Sequence, residues 1–132
     1  MTPDEHIALA LHNEDVVKKL SNKPLEMYDW AITVMFYCTL HFVDAYLIKT
    51  VLFTPESHTA IMKNGKRRDG RNDSVKKYIP LLSSNFNMLY DASRKARYEG
   101  AYRTPQSVGN FQKLYGNDFT PLRQFFRQHL KR

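Results

Sequence analysis

From Leu25 to Phe53 the chain has no glycine or proline, and apolar residues fall on nearly every side of a helical projection. A surface helix shows one apolar stripe. A helix that is apolar all round must be surrounded by other elements, so this segment predicts a central helix packed within an all-α fold. Thr33, Thr39, His41 and Asp44 interrupt it, leaving less than the ~20 clean apolar residues a bilayer span needs, and no membrane role is expected. Thr33, Tyr37, His41 and Asp44 follow one another at helical spacing and form a polar seam along this helix. A buried carboxylate or imidazole requires a partner. The arginine-rich segment near residue 95 suggests one: Asp44 is expected to pair with Arg94 or Arg97, in a polar cluster that also holds Tyr37 and Tyr98.

The flanking sequence reads as further helices. Thr2-Pro3-Asp4-Glu5 is a capping box with proline at the first helical position, and Ile7, Leu11, Val17 and Leu20 suggest an amphipathic first helix. A break is expected over Ser21-Asn22-Lys23-Pro24. After the turn at Thr54-Pro55, Ser57 is placed to cap a short helix through Met62, and Asn64 to Asn72, with two glycines, reads as a loop. A helix starting at Asp73 or Ser74 and interrupted at Pro80 continues to about Tyr98, with Gly100 ending it. Thr104-Pro105 caps the next segment, Gly116-Asn117 interrupts it, and Thr120-Pro121 opens a last helix to Leu130. With no strand alternation or internal repeat, the expected fold is an up-and-down bundle of four main helices with short extra helices.

A chain of 132 residues is long enough to bury roughly two-thirds of its unfolded surface, so residues 1–132 are read as one domain. Cys38 is the only cysteine and lies among apolar neighbours, which fits an inert buried thiol and a cytoplasmic address; no segment resembles a signal peptide. Charge is uneven. Residues 1–62 hold four Lys/Arg against eight Asp/Glu, net −4, and residues 63–132 hold sixteen against five, net +11, which together give the formal +7. Such asymmetry points to an anionic partner, RNA before a membrane. The densest basic stretch is Lys63 to Lys77, with seven Lys/Arg and two Asp. There Lys66, Arg67, Arg68 and Arg71 are the candidate phosphate ligands, since arginine grips phosphates bidentately and stacks on unpaired bases. No P-loop, zinc ligand set or nucleophile elbow is present, so neither metal nor cofactor is expected.

The order DWAITVMFYCTLHFVDAYL, then Ser57-His58, then Arg71-Asn72, then LYDASRKARYEG resembles the HEPN domain (higher eukaryotes and prokaryotes nucleotide-binding), in particular its small stand-alone bacterial and archaeal members. The resemblance covers about Glu26 to Tyr102, with Asn64 to Gly70 as an insertion. It implies a helical bundle, often a homodimer, linked to RNA or nucleotides. One branch of such proteins comprises metal-independent endoribonucleases of toxin–antitoxin and anti-phage systems. The other comprises noncatalytic modules that bind RNA, a nucleotide or a nucleotidyltransferase-like antitoxin. On the nuclease branch, His41 or His58 would be the acid/base and Arg97 or Arg71 the phosphate clamp, while Arg123 and His129 in RQFFRQH fit the family's arginine-then-histidine spacing.

Overall fold

The capping box at the N-terminus forms as the sequence predicts: the Thr2 backbone N–H donates to Glu5 Oε2 at 2.7 Å, and the Glu5 N–H donates to Thr2 Oγ1 at 3.1 Å. It starts helix α1, Pro3–Ser21. The computed structural model describes residues 1–21 and 27–130. The break expected over residues 22–24 lies outside the described residues. Helix α2 follows as Tyr28–Val51 and occupies the centre.

Side-chain contacts fix the directions of the bundle. His6 meets His41, and Cys38 Sγ donates to the Ala10 carbonyl, so α1 runs antiparallel to α2. Asp29 pairs with Arg103 and Phe36 packs on Phe86, which sets α4 (Ser83–Tyr98) antiparallel to α2 on another side. Tyr28 meets Phe111, and Phe42 stacks on Phe126 at 5.6 Å between ring centroids. The last helical run therefore lies parallel to α2. The result is an up-and-down helical bundle. Contrary to the expectation from the sequence, α2 is long and apolar enough to cross a bilayer by length and composition alone, but 72% of its most apolar window is buried in the protein. Thr33 and Thr39 satisfy their hydroxyls on the carbonyls of Asp29 and Met35, one turn back. Of the aromatic residues Trp30, Phe36 and Phe42, only Trp30 is exposed; the other two are spent on packing within this chain.

Several local expectations are corrected. No helix forms between Ser57 and Met62. Ile61–Lys63 (β1) instead pairs antiparallel with Lys66–Arg68 (β2), Met62 opposite Arg67. Asn64 and Gly65 join them with φ of 52° and 74°. Asn-Gly enters this left-handed region at little cost, which favours a tight hairpin over an open loop. The Ser57 hydroxyl donates to the Thr59 carbonyl and caps no amide. The following helix, α3, begins at Arg71 and runs to Tyr78, before the expected start at Asp73 or Ser74. Pro80 does interrupt the path, as a 3-10 turn over Pro80–Leu82. Near the C-terminus, α5 (Val108–Lys113) widens into a π-helical turn, Leu114–Phe119, and continues as α6, Thr120–His129. Gly116-Asn117 therefore loosens the helix without breaking it. On α1, Leu11 faces outward, while His6, Ala10 and Glu14 join Ile7 and Val17 on the buried side.

Candidate functional site: a cationic cleft beside a buried ion pair

Asp44 does not pair with Arg94 or Arg97. Its partner is Arg71, the first residue of α3: Arg71 Nε donates to Asp44 Oδ1 at 2.8 Å and Nη2 to Oδ2 at 3.1 Å. Both residues are buried, Asp44 at 3% exposure and Arg71 at 8%. The fork geometry satisfies both oxygens, which is what a buried carboxylate requires. Arg71 accordingly does not share the exposed surface of Lys66, Arg67 and Arg68 on β2; within that surface Arg67 is tied to Asp69 and Asp73.

The third arm of Arg71, Nη1, lies 3.0 Å from His58 Nδ1. The His58 ring is held between Phe36 and Tyr90, with centroids 5.6 and 5.3 Å away. Burial, then the positive charges of Arg71 and Arg97, push its pKa below the usual histidine range. The backbone explains the placement. The Arg71 and Asn72 N–H groups donate to the Ser57 and His58 carbonyls at 2.8 and 2.9 Å, so the unsatisfied amides at the start of α3 clasp the 57–58 segment. This close approach depends on Gly70. A Cβ there would lie 2.3 Å from the Thr59 carbonyl carbon and 2.6 Å from the His58 oxygen. Gly70→Ala is therefore expected to destabilise the protein by about 1–3 kcal/mol, as overpacking does, and to displace His58. Chemical denaturation checks the first effect and the His58 ring resonances the second. An unchanged midpoint together with unchanged resonances would mean that the segment yields freely.

His58 opens onto a cleft of about 540 Å³ lined by Ser57, His58, Thr59, Tyr90, Arg94, Arg97 and Tyr98. Among the described residues, no carboxylate lines it. Arg97 is oriented by donating to Tyr37 Oη at 2.8 Å and to Ser93, with its guanidinium over the Tyr37 and Tyr98 rings; Arg94 lies over Tyr90. Tyr98 is 74% exposed, with the Arg97 guanidinium over its ring. Arg94 and Tyr98 also border an adjoining hollow lined by Asp91, Lys95 and Glu99. The expected polar cluster is thus two groups: Asp44 with Arg71 and His58, and Tyr37 with Arg97, Arg94 and Tyr98 around the cleft.

His41 does not line the cleft. Its Nδ1 lies 2.9 Å from Nδ1 of His6, a residue that the sequence reading passed over and that is only 6% exposed. Spacing offered a signal, because His6, Ala10 and Glu14 recur every four residues on one face of α1. Burial pushes both imidazoles down, and their mutual repulsion in the charged state adds to the effect on His41. Arg123 and His129 are not brought together as a pair. Arg123 faces Glu14 (3.9 Å) and Tyr115 Oη (3.1 Å), whereas His129 bonds the Phe125 carbonyl and stacks on the Phe125 ring. Glu14, 3% exposed, is also bonded by Arg127, so this constellation clamps α6 onto α1. Cys38 is buried, and its thiol is held well above the ordinary range. Among the described residues, no group of three or more His, Cys, Asp and Glu side chains is arranged to hold a metal ion.

The molecule is thus defined as an all-α up-and-down bundle with an arginine-lined cleft between the 57–59 segment and α4. Compared with protein-family models, curated proteins and solved structures, the chain finds no match.

Proposed function

We propose that the protein is a binding module for single-stranded RNA or an RNA-derived nucleotide, with the cleft as the phosphate site. One observation carries this reading: Arg94, Arg97 and His58 line one cleft that, among the described residues, no carboxylate lines, with the exposed Tyr98 ring also in its wall. Phosphate oxygens only accept hydrogen bonds, so they match such a lining, and an unpaired base finds a stacking face on Tyr98. Lys66, Arg67 and Arg68 are also exposed, on strand β2 of the hairpin, with Arg67 paired to Asp69 and Asp73. The resemblance to HEPN domains supports the same partner class, and of its two branches the binding module is the one this cleft favours.

The test is binding of a fluorescent single-stranded oligo(U) RNA as a function of salt. Each charge-assisted contact is worth about 1.5–3 kcal/mol, so Arg94→Ala combined with Arg97→Gln is expected to weaken binding at least roughly tenfold. The slope of log affinity against log salt should fall by about 1.4, at ~0.7 per lost contact. Replacing Lys66, Arg67 and Arg68 with alanine should lower the slope by up to about 2. If neither variant changes affinity or slope, RNA does not bind where proposed.

A further inference from the structure

The contact between Arg71 and His58 carries chemical information that distance alone does not. A guanidinium holds only N–H donors and has no lone pair to offer. At 3.0 Å from Arg71 Nη1, His58 Nδ1 must therefore be the acceptor, and the proton of the neutral ring sits on Nε2. Arg71 is not free to turn away, because its Nε and Nη2 are tied to both oxygens of Asp44. Among the described residues, none bonds His58 Nε2, in a ring that lines the cleft.

We propose that Asp44 and Arg71 are positioning residues that hold His58 as a neutral Nε2–H donor, making the cleft a receptor for phosphate oxygens and not a site of proton transfer. A general base needs a lone pair directed at the substrate, but the one lone pair of this ring is taken by Arg71. A general acid needs the imidazolium, whose extra proton would sit on Nδ1 against an Arg71 N–H. The charged and titratable groups facing the ring oppose that state as well. Arg71 comes from α3 and Arg94 and Arg97 from α4, against the single carboxylate of Asp44 on α2, while Tyr90 contributes a neutral ring face. The Arg–Asp fork thus selects a tautomer, as the second partner of a histidine commonly does.

The part of this inference that concerns phosphate rests on the binding reading above; the tautomer does not. The experiment uses the full chain with 15N-labelled histidine, recording long-range proton–nitrogen correlations for His58 between about pH 7.5 and pH 6, the range in which an ordinary histidine titrates. The expected result is a pyridine-type Nδ1 and a pyrrole-type Nε2 at both ends, with oligo(U) affinity changing by less than about twofold. Asp44→Leu combined with Arg71→Met removes both charges and strands neither. In that variant His58 should titrate, and oligo(U) binding should tighten several-fold on acidification. A proton on Nδ1, or an imidazolium by about pH 6 in the wild type, overturns the proposal. So does RNA cleavage by the wild type that falls ~100-fold in His58→Gln. If the double variant does not fold, the wild-type spectrum decides. If oligo(U) does not bind, the phosphate reading fails while the tautomer is still determined.

Discussion

Asp44→Ala is expected to lower stability by about 3–5 kcal/mol, because it leaves the Arg71 guanidinium buried and unpaired. Arg71 is 8% exposed, and two of its three nitrogens are committed to Asp44. The effect reaches further than the pair, since Arg71 also bonds His58 and its backbone N–H holds the Ser57 carbonyl. Asp44→Leu with Arg71→Met should recover much of the loss, since a buried ion pair is often replaceable by apolar residues of similar size. Urea denaturation at neutral pH measures both. A loss below about 1 kcal/mol in Asp44→Ala would mean that water reaches the arginine in the absence of its partner.

Mild acid is expected to destabilise the protein through three histidines. His6, His41 and His58 are each held below the ordinary value of 6.5, first by burial. For His6, the N-terminal amine and Arg71 add to this while Asp44 opposes it; for His41, His6 and Arg71 add; for His58, Arg71 and Arg97 add. Below pH 6.5 the unfolded chain takes up protons that the folded rings refuse. Stability is therefore complete above that pH and falls as pH drops from 6.5 towards the lowered values. The slope is at most about 1.4 kcal/mol per pH unit for each ring, and less for the partly solvent-exposed His41 and His58. The His6–His41 contact sharpens the effect, because two protonated Nδ1 atoms cannot remain 2.9 Å apart. Thermal melts between about pH 7.5 and pH 5.5 test this. A flat Tm would show that the rings accept protons without strain, whereas His6→Phe should flatten part of the slope.

Much of the bundle is legible in the chain because helix rules act over a few residues. The Thr2/Glu5 box, the interruption at Pro80 and the left-handed Gly100 after α4 each depend on neighbours within a turn or so. The central position of α2 follows from its all-round apolar surface, a property of one segment alone. The Asn64-Gly65 hairpin was also written locally, in an Asn-Gly pair that read as loop because the basic residues around it dominate the composition.

The site was only half legible. Periodicity marked Asp44 and His41 as buried polar groups in need of partners, and burial physics demanded that partners exist. Which arginine serves Asp44 is a different kind of question. Arg71, Arg94 and Arg97 carry the same charge, and helical spacing does not rank them. The choice falls to the path of the chain after α2: Gly70 lets the 57–59 segment pass against the start of α3, and that passage sets Arg71 opposite Asp44 and His58 beside it. Arg94 and Arg97 then remain on the outer side, over Tyr90, Tyr37 and Tyr98, where they line the cleft. Sequence alone determined that a buried carboxylate had to be neutralised by a cation. Only the tertiary packing decided which cation was taken inside and which were left to line the cleft.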